Sequence, residues 1–275
     1  MYLKSLWAET SALKNRMPMI RLLDGSSGGG SVKSYLEIGQ SHSLSPVSSL
    51  RASSTDCTEV HESTGRTYVP PLTGFATLVE SLATIPVCCA LLGPVVGLAA
   101  IKATMSHFAI MVRNNSQLFS AGPPVVAFAT FEQLTKEELG GVAIHGGNGS
   151  VDYIVDNEVA AFEAIRRFLS YLPSSVSRLP PSLPIVDPTH RRTEELISII
   201  PRKRARTYDI RRVISLIVDE GSFMEIGESW GKTVVVGLAR VGGKVVGVVS
   251  QDCRQKGGTL DMRSSQKLTR HIDLW

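Results

Sequence analysis

Apolar residues in this chain fall into two periods, and the switches between them outline alternating strands and helices. Leu3, Leu6, Trp7 and Leu13 lie near helical spacing, which predicts a helix over 3–15 that Pro18 stops. A short apolar strand follows at 19–23, then a glycine turn at 24–30. Phe75, Leu78, Val79 and Leu82 share one face of a predicted helix over 73–82. The unbroken apolar run 85–92 reads as a buried strand, 98–108 as a helix and 108–112 as a further strand. Residues 117–119 begin another turn, and a short helix over 136–139 ends at Gly140-Gly141. The pattern over 157–172 is amphipathic and helical, with Val159, Phe162, Ile165, Phe168 and Leu169 as its apolar face. Further helices are predicted over 193–200, 209–219 and 264–274, with Ile210, Val213, Ile214 and Ile217 spaced for burial. Two apolar runs, 233–241 and 244–250, meet at Gly242-Gly243 and predict a β-hairpin. Strand, glycine turn and helix in repeated order predict an α/β fold with parallel strands.

Two stretches break the pattern. Residues 40–65 are dominated by serine and threonine and keep no apolar period, so a disordered insertion is expected. Residues 173–188 hold five prolines and read as a linker between a first domain, 1–172, and a second, 189–275. The segment 81–101 is long and uncharged enough to raise a membrane span, but Pro86, Gly93, Pro94 and Gly97 divide it. The N-terminus lacks the continuous apolar stretch of a signal peptide. No membrane association is expected.

Charge and composition narrow the partners. A formal net charge of +4 is too weak to point to nucleic acid, and the sparse aromatic residues offer no platform for stacking single strands. The balance suits a polyanion as small as a coenzyme. Cys57, Cys88, Cys89 and Cys253 form no C-x-x-C pair, which fits a reducing compartment. The six His residues lack metal-ligand spacing, and no metal is assigned.

Three segments carry candidate chemistry. The first, LLGPVVGLAAIKATMSH at 91–107, reads as strand, Gly-Pro turn and a helix opening at Gly97. A helix start of this kind points free backbone N–H groups at developing negative charge. Close packing of helix on strand is the alternative explanation of Gly97. The second, LLDGSSGGGSV at 22–32, lacks the Lys-Ser/Thr of a P-loop and the acidic partner of a dinucleotide fingerprint, and a plain loop would also explain it. The third is SQLFSAGPPVVAFATFEQLTKEELGG at 116–141, with His145 beyond it. A rigid turn would explain its Gly-Pro-Pro, and a hydrogen-bonded loop position its histidine. The basic run 201–206 reads as a solvated charge cluster or as a contact for a coenzyme phosphate.

Taken in order, these segments resemble the carboxyltransferase (beta) subunit of biotin-dependent acyl-CoA carboxylases of the propionyl-CoA and acetyl-CoA carboxylase type. The resemblance implies an α/β crotonase-like (ClpP/crotonase) fold, a spiral of β-β-α turns. The chain would be truncated at both ends, with an incomplete N-terminal domain and the start of a second. The implied reaction moves a carboxyl group from carboxybiotin to the α-carbon of a short acyl-CoA. Backbone N–H groups of Gly97 and Leu98 would hold the thioester enolate. Leu98 stands where the family often has a second glycine; it keeps its N–H, and its side chain would narrow the acyl pocket. Ser27, Gly28, Gly29, Gly30, Gly93, Pro94, Gly122, Pro123 and Pro124 would line the acyl-CoA site.

Implied partners are acyl-CoA, a biotin carboxylase or biotin carrier subunit and other carboxyltransferase subunits. Biotin would arrive on a separate carrier, with its own oxyanion hole beyond Trp275. The implied compartment is cytoplasmic or the mitochondrial matrix. Two other readings stay open. One is an inactive fragment that binds acyl-CoA or docks on a full-length subunit. The other is a crotonase-type hydratase or isomerase, which needs a carboxylate over the acyl chain; 91–107 contains no Glu.

Overall fold

A computed structural model describes residues 2–26, 60–61, 66–67, 75–185, 187–188, 190–203 and 205–274. The chain opens with α1 (Tyr2–Lys14), β1 (Met19–Ser26), β2 (Val60–His61), β3 (Arg66–Thr67) and α2 (Phe75–Thr84). It continues through β4 (Val87–Val96), α3 (Leu98–Thr104), β5 (Phe108–Val112), β6 (Gln117–Phe119), α4 (Pro123–Thr130), α5 (Lys136–Gly140) and α6 (Val142–His145). Then come β7 (Tyr153–Val155), α7 (Glu158–Ser170), α8 (Glu195–Ile199) and α9 (Ile210–Ile217). Strands β8 (Met224–Ile226), β9 (Val234–Val241) and β10 (Lys244–Gln251), a 3-10 turn and α10 (Met262–Asp273) complete it.

A parallel sheet runs β1-β4-β5-β7, with β6 also paired to β4. Side chains alternate across a strand, so each strand feeds two cores. Cys88 and Ala90 of β4, with Phe108, Ile110 and Val112 of β5, face one side. Cys89, Leu91, Ala109 and Met111 face the other, against Ala99, Ala100 and Ala103 of α3. The adjacent cysteines therefore lie back to back in the core, and burial pushes the Cys89 thiol up to about 12. A second, antiparallel sheet runs β10-β9-β8. Its hairpin turns at Gly242-Gly243 with φ of +59° and +75°, the conformation glycine adopts without strain.

Four expectations change in the structure. Gly93 and Pro94 do not make a turn: β4 runs straight through them to Val96. The β1–β4 register passes from Leu23↔Leu91 to Gly25↔Val95, so β4 carries extra residues as a bulge there. A bulge accommodates a proline within a sheet because a ladder N–H is already lost. Second, residues 117–119 are a strand parallel to β4. Third, the end of the expected insertion 40–65 is structured. Val60 pairs with Thr67 and His61 with Arg66, and β-branched residues suit that pairing. The remainder of 40–65, including Cys57, lies outside the described residues. Fourth, the buried faces shift. Helix α7 buries Ala161, Ala164, Ile165 and Phe168 and leaves Val159 exposed. Helix α9 buries Ile210 and Ile214 and leaves Ile217 exposed.

The largest core draws on both sides of the proline-rich stretch. Phe108 stacks on Phe168 at 4.6 Å between ring centroids, and the same cluster takes in Met224, Ile226, Val234, Val236 and Leu238. The 173–188 stretch itself is tied down at two points. The Val176 N–H donates to Arg16 O at 2.9 Å, and the Leu183 N–H donates to Gly243 O at 3.0 Å. Among the described residues no helix is long and apolar enough to cross a membrane.

Candidate active site

The turn between β4 and α3 is fixed from both ends. Gly97 has φ +66° and ψ −127°, a conformation open to glycine. Its N–H donates to Phe119 O on β6 at 3.3 Å. That bond corrects one expectation: the Gly97 N–H is engaged in the sheet and is not a free donor. Leu98 is the first residue of α3, and an α-helix leaves its first N–H groups without internal acceptors. The N–H groups of Leu98 and Ala100 have no acceptor among the described residues. The donor-bearing positions are therefore Leu98 and Ala100, and Gly97 supplies the bend that aims them. Leu98 keeps a negative φ, as its place in the helix requires.

The other end of α3 is held by charge. The Arg21 guanidinium donates to Lys102 O at 3.4 Å and Met105 O at 3.1 Å, the carbonyls that close the helix. Glu9 of α1 pairs with both Arg21 and Lys102, at 3.3 and 3.0 Å. Cations at a helix C-terminus complement its dipole. Burial lowers the Arg21 pKa, and the Glu9 carboxylate opposes that shift.

Phe119 joins the glycine turn to the Gly-Pro-Pro corner. Its ring edge lies 3.9 Å from where a Cβ on Gly122 would stand. Gly122 caps α4, and Pro123 and Pro124 occupy the first helical positions. Prolines suit that place because they carry no N–H. For the same reason this corner offers no backbone donors at 123 or 124. Below Phe119, Gly140 comes so close to β6 that a Cβ there would stand 2.4 Å from Leu118 O. The His145 Nε2 meets the same Leu118 O at 2.5 Å, and burial lowers the His145 pKa. Gln117 donates to Glu137 at 3.1 Å. The Glu-Glu-Leu-Gly-Gly…His segment thus braces β6, and β6 braces the turn.

The remaining predicted residues divide. Gly93 sits in the β4 bulge, where a Cβ would meet the Asp24 carboxylate at 1.9 Å; beside it, Pro94 pairs with Gln117. Ser27, Gly28, Gly29 and Gly30 lie outside the described residues. Ser26 pairs with Val96, so β1 and β4 end side by side. Sequence reasoning missed Phe119, Ala100 and Arg21. A three-residue strand is too short for a period to reveal, while the helix start predicted at 97 could have suggested Ala100. Among the described residues no group of three or more His, Cys, Asp or Glu is placed to hold a metal ion.

A parallel sheet whose strand ends in an N–H-bearing turn, backed by a second sheet, is the crotonase-like α/β fold of carboxyltransferases. The chain belongs to the carboxyl transferase domain family, which matches residues 58–275. Among its relatives, the propionyl-CoA carboxylase carboxyltransferase subunit of Haloferax mediterranei is 36% identical over 209 residues, 74% of this chain and 40% of that protein. The mitochondrial propionyl-CoA carboxylase beta chain of Sus scrofa is 36% identical over 74% of this chain and 39% of its own length. The chain therefore spans about two-fifths of the length of these relatives. A transcarboxylase 12S crystal structure, with hydrolysed methylmalonyl-coenzyme A bound, matches the fold at a TM-score of 0.75. It is 24% identical and covers 98% of this chain and 47% of its own.

Proposed function

We propose that this chain supplies the acyl-CoA side of a biotin-dependent carboxyl transfer, with acetyl- or propionyl-CoA as acceptor. The observation that carries the reading is the pair of N–H groups at Leu98 and Ala100 that have no acceptor among the described residues. When a proton leaves the α-carbon of an acyl thioester, negative charge moves to the thioester oxygen. Backbone donors fixed before the reaction stabilise that enolate without reorganising. The Leu98 side chain beside them restricts the length of the acyl group. Gly93, Pro94, Gly122, Pro123 and Pro124 form the walls.

Carboxybiotin supplies the activated carboxyl group when its carrier delivers it. Two N–H groups at one turn suit one oxyanion, so no described residue is assigned to the ureido oxygen of biotin. The partners in this reading are a biotin carboxylase or carrier subunit and further carboxyltransferase copies. The compartment is the cytoplasm or the mitochondrial matrix. That the aligned part is about two-fifths of these relatives supports assigning to this chain acyl-CoA binding first, with turnover depending on the assembled enzyme.

Leu98→Pro tests the donor assignment directly. Proline is accepted at the first helical position, so the variant removes one N–H and keeps the helix. Calorimetry with propionyl-CoA should show affinity lowered about tenfold, the size of a hydrogen bond to a charge-bearing group. His145→Ala should change it far less. Unchanged affinity in Leu98→Pro, with circular dichroism intact, removes Leu98 from the site.

We also propose that 1–172 and 189–275 fold as one cooperative unit. The shared cluster of Phe108, Phe168, Val236 and Leu238 supports this. Scanning calorimetry should give one transition with matching calorimetric and van't Hoff enthalpies. Two resolved transitions would favour separate domains.

A further inference from the structure

A cavity of about 210 Å³ opens between the start of α10 and the loop that precedes β9. Lys232, Lys256 and Arg263 line it together with Asp261 and Thr233. The one carboxylate is already committed. Asp261 caps α10 by accepting the Ser264 N–H at 2.9 Å, and it pairs with Lys256 at 3.1 Å. Arg263 donates to Gly147 O at 2.8 Å, and neither it nor Lys232 has a carboxylate partner among the described residues. The cavity therefore carries an excess of positive charge.

Two further observations point to an anion. Helix α10 is twelve residues long, and the N–H groups of Met262 and Arg263 in its first turn have no acceptor among the described residues. Gly231, at φ +51°, fits against this turn because a Cβ there would stand 3.1 Å from Arg263 O. Thr233 is 3% exposed, and its Oγ1 meets no hydrogen-bond partner among the described residues. A buried hydroxyl without a partner is unusual, and here its residue lines a cationic cavity.

We propose that this cavity binds a phosphoryl group. Tetrahedral oxyanions match the donors present: a guanidinium, an ammonium, a hydroxyl and the N–H groups of a helix start. The phosphoryl group can belong to free phosphate or pyrophosphate, or to a phosphate of coenzyme A. The inference stands apart from the acyl-CoA reading of the β4–α3 turn, because its probe carries no acyl group.

The test is a calorimetric titration of the full chain with inorganic pyrophosphate, on the wild type and on Arg263→Met, Thr233→Val and Lys232→Met. Saturable binding is expected, weakened about tenfold by Arg263→Met and about threefold by Thr233→Val. Circular dichroism checks the fold. If Thr233→Val unfolds, Lys232→Met decides, since Lys232 is exposed and its loss leaves packing intact. Competition then identifies the source. Displacement of pyrophosphate by coenzyme A but not by pantetheine assigns the site to a coenzyme phosphate. No displacement by coenzyme A assigns it to the free anion. Absence of saturable pyrophosphate binding, or equal affinity in the wild type and the folded variants, overturns the proposal.

Discussion

Asp152→Ala should destabilise the chain by about 3 kcal/mol, measured by urea denaturation at neutral pH. The Asp152 side chain is buried at the start of β7, and its Oδ2 accepts the Ala109 N–H at 2.9 Å and pairs with Arg270 at 3.0 Å. Burial raises its pKa, and the Arg270 guanidinium works against that shift. Removing the carboxylate leaves a backbone N–H of the central sheet without its acceptor. It also leaves Arg270 without a carboxylate partner among the described residues, held by the carbonyls of Gly149 and Ser106 and the Trp230 ring. Breaking a buried pair from one side is far worse than deleting both partners. The double variant Asp152→Ala/Arg270→Met should therefore recover part of the loss, a coupling that a mutant cycle reads directly. A single-variant loss below about 1 kcal/mol would mean that water replaces the carboxylate.

The second large effect is acid sensitivity centred on His271. This residue is 4% exposed on α10, and burial, with Lys267 nearby, lowers its pKa to about 4. An unfolded histidine titrates near about 6.5. Between those values the unfolded chain holds more protons than the folded one, so stability must fall as pH drops. The contribution is complete above about pH 6.5 and is lost as pH falls through 4. The difference amounts to about 3 kcal/mol. His107 and His145, both lowered chiefly by burial, act in the same direction. Unfolding free energies measured at pH 7 and pH 4.5 should differ strongly in the wild type and much less in His271→Gln. Equal pH dependence in both would locate the acid sensitivity elsewhere.

The parts of the fold that depend on neighbouring residues were legible in the sequence. The helix opening after Gly97, the Gly242-Gly243 hairpin and the Asn157-capped helix all follow from local period and turn chemistry. What depends on pairing between distant segments was not. The bulge at Gly93-Pro94 exists only because β1 offers fewer residues than β4 over that stretch. The engagement of the Gly97 N–H depends on Phe119, which a reading of the 91–107 segment alone does not contain. Val159 satisfies the helical period, yet the sheet meets α7 on the Ala161–Ala164–Phe168 side. The glycine and proline motifs could be located in the sequence, but which of their N–H groups the sheet engages depends on β6.

The sharing of one core by Phe108 and Leu238 bears on how the protein is made. During synthesis β4 and β5 leave the ribosome long before β8 and β9, which share their core cluster through α7. Contacts so distant in sequence form late and slowly. Cys88, Ala90, Phe108 and Ile110 therefore face solvent or a chaperone until α7 brings Phe168 onto Phe108, and the cluster is completed only when the Val-rich strand β9 arrives. Yield in cells should depend more on chaperone supply and elongation rate than the equilibrium stability of the finished chain suggests.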